Sequence, residues 1–199
     1  MLFRSWGNII KDFFGKGVFP HYTSFFLELP FRKLILSPKQ LANRLHLKKD
    51  YHVLEIGPGP GYFSVEVAKR LSQGHLDLLD IQKEMLEKAK RKIVKLGLTN
   101  VTFTQGDATN LPYNDSTFDV VFLVAVLGEI PKPSLCISEI HRVLKPHGIL
   151  SITEQPGDPD FLPMPRVKKL AEKHGFRVIE QYGKGKNYTL NFIKTPNYS

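Results

Sequence analysis

Val53-Leu54-Glu55-Ile56-Gly57-Pro58-Gly59-Pro60-Gly61-Tyr62-Phe63-Ser64 is the stretch on which the fold turns. A short apolar run ends in an acid, glycine then takes every second position, and helical spacing follows. Glycine lets the backbone turn tightly and lets a ligand come close to it. The order strand, glycine turn, helix puts the turn at the carboxyl end of a strand, where open α/β sheets bind ligands. A plain tight turn has no need of three glycines and two prolines within residues 57–61. Glu55 stands where it can meet a cationic ammonium group, directly or through water. A pyrophosphate suits the turn poorly. The G-x-G-x-x-G fingerprint wants a third small residue. Counted from Gly57 that residue is Tyr62, counted from Gly59 it is Ser64, and Glu55 would repel the phosphates.

Outward from this turn the same alternation repeats. Strand-like runs fall at Tyr51–Ile56, His75–Asp80, Asn100–Gln105, Phe118–Val124 and Gly148–Glu154. Helix-like runs lie between them at Gly61–Ser72, Gln82–Leu96 and Pro133–Lys145. Short apolar strands separated by amphipathic helices predict βαβ units and a parallel sheet covered on both faces. A helix from Met164 to His174 follows, then runs at Phe176–Tyr182 and Tyr188–Lys194 joined by Gly183-Lys184-Gly185-Lys186, an antiparallel hairpin. Upstream, Ser37-Pro38-Lys39-Gln40 carries an N-cap, a proline at the first helical position and a glutamine to close a capping box. The expected fold is α/β, a Rossmann-like, doubly wound, mostly parallel seven-stranded sheet with an antiparallel C-terminal hairpin, over residues 37–199.

Two more strand ends carry candidate ligand groups. Asp80 closes the second strand nineteen residues after Gly61, where a carboxylate can accept hydrogen bonds from both hydroxyls of a ribose. Capping the next helix is its plainer role. Met85 could cover an adenine face or be a core residue. Gln105-Gly106-Asp107-Ala108 follows the third strand. Gly106 allows close approach, and Asp107 could accept an adenine amino group or only build an Asx turn.

Charge and composition narrow the classes. Lone Cys136 excludes an internal disulfide framework and a cysteine-based metal site. The seven histidines are scattered, no G-x-S-x-G elbow occurs, and no phosphate loop ends in Gly-Lys-Ser/Thr, so no metal is expected. No signal-peptide layout opens the chain, since Arg4, Lys11 and Asp12 interrupt it, and a cytoplasmic protein is expected. The formal charge of +9 is uneven. Residues 1–49 hold nine Lys/Arg against two Asp/Glu, residues 164–199 eight against two, and residues 50–163 eleven against fifteen. Basic ends on an acidic body suit an anionic partner such as lipid or RNA, or serve solubility alone.

Residues 1–36 read as a separate aromatic, basic cap segment. They hold seven of the fourteen Phe and the only Trp. Trp6, Ile9, Ile10, Phe13 and Phe14 follow helical spacing. The segment is expected to cover the acceptor pocket and to touch membrane peripherally, or else simply to pack on the domain.

Glu55-x-Gly57-x-Gly59-x-Gly61, Asp80, Gly106-Asp107-Ala108, Phe118-Asp119-Val120-Val121 and Arg142-Val143-Leu144-Lys145-Pro146-His147-Gly148 occur in the order seen in class I S-adenosylmethionine-dependent methyltransferases. The chain resembles that family over about residues 37–194, and within it the branch of the ubiquinone/menaquinone C-methyltransferases. The resemblance implies S-adenosylmethionine as cofactor. Glu55, Gly57, Gly59 and Gly61 would hold the methionine part, Asp80 the ribose and Asp107 the adenine amine, with Leu123 beside the methionine group. Pro58, Ile81, Met85, Gly106 and Ala108 complete the set. The paired histidines that many relatives carry after the fourth strand are absent, and the run here is Leu127-Gly128-Glu129-Ile130-Pro131.

Methyl transfer needs alignment and exclusion of water, and a base only if the acceptor has a proton to lose. Glu129, after the fourth strand, is the first candidate base; His21, Tyr22 and Glu154 follow. The minimal domain and the aromatic segment point to a small, lipophilic acceptor. The alternatives are an RNA or protein methyltransferase, although no Asn-Pro-Pro-Tyr-like tetrapeptide follows the fourth strand, and a cofactor-binding module without catalysis. The sequence gives no oligomeric state.

Overall fold

In the computed structural model, which describes residues 36–195, the apolar runs join one seven-stranded sheet. In chain order the elements are α1 (Pro38–Arg44), β1 (His52–Ile56), α2 (Ser64–Arg70), β2 (His75–Asp80), α3 (Lys83–Lys95), β3 (Val101–Gln105), β4 (Phe118–Val124), α4 (Pro133–Val143), β5 (Leu144–Glu154), α5 (Met164–Lys173), β6 (Phe176–Lys184) and β7 (Asn187–Lys194). The strand order is β3-β2-β1-β4-β5-β7-β6, with β1 to β5 parallel and β7 antiparallel to both neighbours.

Alternation along the strands sends successive side chains to opposite faces. Leu54, Ile56, Val121 and Leu123 face α4 and α5 in one core. Val53, Leu76, Val120 and Phe122 face α1, α2 and α3 in the other. Both faces are thus covered, as the apolar character of β1 and β4 requires. The Ser37 hydroxyl accepts from the Gln40 N–H and the Gln40 side chain from the Ser37 N–H, so the expected capping box forms.

The chain leaves β1 for β2 on one side and returns to β4 on the other. The sheet reverses there, and a crevice opens at the carboxyl ends of β1 and β4. Boundaries differ from expectation most at α2 and β5. α2 starts at Ser64, not Gly61, because Gly61 has φ +76° and cannot begin a right-handed helix. It also ends early, at Arg70, as Leu71 leaves helical ψ. β5 starts at Leu144, which pairs with Phe118 before an irregularity shifts the register. Lys145-Pro146-His147-Gly148 forms that irregularity, with His147 at φ +61°. The segment 1–36 lies, apart from Leu36, outside the described residues, as do its candidates His21 and Tyr22. Among the described residues no helix is long and apolar enough to cross a membrane.

Candidate active site

The glycine turn is built as its composition requires. Gly57, Gly59 and Gly61 have φ of +68°, +53° and +76°, the left-handed region that side chains disfavour. The Gly57 N–H donates to the Leu79 carbonyl at 2.8 Å and that of Gly61 to the Pro58 carbonyl at 3.0 Å. A Cβ on Gly57 would lie 2.5 Å from a Val126 methyl. The loop after β4 therefore leans directly on the loop after β1, and only a bare backbone fits between them.

Glu55, at the end of β1, is 3% exposed. Ser64, the first residue of α2, donates its hydroxyl to Glu55 Oε2 at 2.5 Å. Burial pushes the Glu55 carboxyl up to about 8; the Ser64 bond lowers it and the charge of Asp80 raises it further. A buried carboxyl with one ordered partner favours arrival of a cation. In the sequence Ser64 stands out only as a third small residue of a phosphate fingerprint. Its contact with Glu55 depends on the turn folding back by nine residues.

Asp80 is 7% exposed at the end of β2. It accepts from the Gln82 N–H at 2.9 Å and from those of Gly59 and Ile81. Burial raises its pKa and the three amide bonds lower it. Gln82, not Asp80, is the N-cap of α3. Asp80 instead ties the tip of the glycine turn to β2. Ile81, beside it, is 52% exposed and offers an apolar surface. Gly106 donates its N–H to the Asp80 carbonyl at 3.1 Å. Asp107 is exposed, and its Oδ1 accepts from the Thr109 N–H and hydroxyl, both at 2.8 Å, which hold its carboxyl below the usual range. The plain Asx turn is thus present. Ala108, Leu123 and Met85 are buried, Met85 on the first turn of α3. Pro58 is buried and Gly59 half-buried in the turn.

Beyond β4 and β5 the site gathers acids. Ala125 takes φ +55° and donates its N–H to the Thr153 carbonyl at 2.8 Å. That conformation is uncommon for alanine and marks a loop held by its surroundings. Glu129 is half-buried, with its N–H on the Val126 carbonyl. Glu154, the last residue of β5, is fully buried. A bare Gly128 backbone lies against the Asp160 carbonyl, in space that a Cβ would fill. The loops after β4 and β5 are packed together there, around Glu154. The sequence put Glu154 behind Glu129, because burial by a later loop leaves no local signal.

The donor side fits S-adenosylmethionine. A buried acid beside the turn suits an ammonium, a second buried acid one strand over suits hydroxyl donors, and an exposed isoleucine suits a flat apolar ring. A sheet in this order, with this turn at its switch point, defines the class I S-adenosylmethionine-dependent methyltransferases. The chain belongs to the methyltransferase-domain family, whose profile matches residues 47–185. It is 30% identical over 148 residues to a demethylmenaquinone methyltransferase of Lactiplantibacillus plantarum, covering 73% of this chain and 61% of that one. It is 31% identical over 132 residues to a ubiquinone/menaquinone biosynthesis C-methyltransferase of a Ruegeria species, covering 66% of this chain and 51% of that one. The chain therefore spans only about half to three-fifths of these relatives. A solved S-adenosylmethionine-dependent methyltransferase from Aquifex aeolicus superposes with a TM-score of 0.82 at 26% identity, covering 89% of this chain and all of the other.

Proposed function

We propose that the protein transfers a methyl group from S-adenosylmethionine to a small, lipophilic acceptor. One observation carries the reading. The loops after β4 and β5, beside the glycine turn, carry half-buried Val126, Ile130 and Phe161, Met164 opens α5 next to them, and Glu154 is buried at the end of β5. Apolar walls with a few polar groups suit a small-molecule site. Bound S-adenosylmethionine supplies a methyl carbon already activated on a cationic sulfur. Glu55 and the glycine turn would hold its ammonium end, Asp80 its ribose, and Asp107, Ile81, Met85, Gly106 and Ala108 its adenine. Leu123, Pro58 and Val126 would keep water from the sulfur. Glu129 and Glu154 would meet the acceptor. The quinone-type acceptors in the relatives' names agree with this lipophilic class.

The segment 1–36 is proposed as a cap on the acceptor side that touches membrane. Its composition supports this. The test is methyl transfer from labelled S-adenosylmethionine to 1,4-dihydroxynaphthalene, phenols, aromatic amines and transfer RNA. Label in an organic-extractable product supports the reading. Label only in RNA or in protein overturns it.

A further inference from the structure

Glu154 is the group whose placement folding alone does not explain. It is 0% exposed, and among the described residues its Oε1 has no hydrogen-bond partner and its Oε2 has only a long bond, 3.4 Å, from the Leu162 N–H. Carboxylates are almost never buried without partners, because the desolvation is uncompensated. The charges that act on it make matters worse. Burial first, and then the negative charges of Asp158, on the loop after β5, and Glu129, on the loop after β4, push the Glu154 carboxyl up to about 8. The neighbour on β7, Tyr188, gives it no hydrogen bond: its hydroxyl donates to the Leu162 carbonyl at 2.6 Å and so pins the covering loop. Among the described residues no group of three or more His, Cys, Asp or Glu is placed to hold a metal ion. Leaving an acid unsatisfied at the rim of the sheet, next to a strained Ala125, is the pattern of a group kept for a ligand.

We infer that Glu154 is the proton acceptor of the methyl-acceptor subsite, with Oε1 receiving a hydrogen bond from an O–H or N–H of a small apolar acceptor and then the proton that methylation releases. The inference rests on the methyltransferase reading above. In the step, the acceptor's O–H or N–H bond breaks and its proton passes to ionised Glu154. The electron pair on that atom forms the bond to the methyl carbon. The carbon–sulfur bond breaks with its pair on sulfur, leaving a neutral thioether, and Glu154 later returns the proton to water. Such a carboxyl is matched to this work near pH 8. The loop 155–163 covers Glu154 and must swing aside to admit the acceptor.

The test uses the full chain with Glu154→Met, which fills the space without charge, and Glu154→Gln should the first fail to fold. Each protein is saturated with S-adenosylhomocysteine and titrated with naphthalene, 1,4-dihydroxynaphthalene kept reduced, and 1-aminonaphthalene. Wild type should prefer a donor-bearing ring over naphthalene by on the order of tenfold, and whichever ring wins names the donor as hydroxyl or amine. Glu154→Met should lose the preference, keep S-adenosylhomocysteine affinity, and melt higher than wild type at pH 8–9, because an unpartnered buried charge is removed. Glu154→Gln should keep part of the preference and lose the pH dependence of turnover around 8. No preference in wild type, an unchanged preference in the variants, or a lower melting temperature for Glu154→Met overturns the inference. Failure of wild type to bind S-adenosylhomocysteine would instead strike the methyltransferase reading itself.

Discussion

At Gly57 a missing side chain holds two loops in contact. Its φ of +68° disfavours any Cβ, and a Cβ would meet Val126 at 2.5 Å. Gly57→Ala should therefore destabilise by at least about 1–2 kcal/mol from the backbone conformation alone. It should also weaken S-adenosylmethionine binding, since the loops must part. Thermal melting and calorimetry check both. Adding Val126→Ala should recover the steric part but not the backbone part, and full recovery would show that conformation plays no role. The glycines, Asp80 and Glu55 were legible as residues because their chemistry sits at fixed offsets in one run. Ser64 was not, because its bond to Glu55 depends on the path of the turn. His147 shows the same limit. It holds φ +61° where a glycine would be unstrained, and nothing in its own spacing says so.

The elements were legible to within a residue or two wherever apolar periodicity ran uninterrupted, as in α3, α4 and the hairpin β6–β7. Boundaries failed where backbone geometry overrode pattern, at Gly61 before α2 and at the irregularity that lets β5 begin at Leu144. The loops after β4 and β5 were the least legible part of the site. Each gains meaning only from the other, through Gly128 against the Asp160 carbonyl and through their joint burial of Glu154. Gly128→Ala should push these two loops apart while sparing the glycine turn. We expect S-adenosylhomocysteine affinity within about twofold of wild type and acceptor turnover reduced at least about tenfold, on the scale of catalytic groups displaced by an ångström. Equal turnover in the variant would mean that the loops do not shape the acceptor site.

Among the described residues two buried carboxyls, Glu55 and Glu154, are each raised to about 8 from an ordinary value of 4.5. A raised carboxyl holds its proton in the folded state after the unfolded chain has released it. Stability is therefore fully present below pH 4.5 and falls as pH rises from there to 8, by up to about 1.4 kcal/mol per pH unit for each group. Melting between pH 5 and 9 checks this, and a flat profile would deny the burial of both. Removal of residues 1–30 addresses the proposed cap: S-adenosylmethionine binding should persist, because its residues begin at Glu55, while binding to anionic phospholipid vesicles and acceptor turnover fall. Unchanged vesicle binding would refute the membrane part. The central claim is that the crevice at the ends of β1 and β2 binds S-adenosylmethionine. Its most direct measurement is calorimetric titration of the full chain and of Asp80→Ala, each shown to be folded by its melting curve. One molecule should bind per wild-type chain, and the variant should bind at least about tenfold more weakly, since hydrogen bonds to a charged group contribute ~1.5–3 kcal/mol each. No binding to wild type, or equal affinity in the two proteins, would contradict the account.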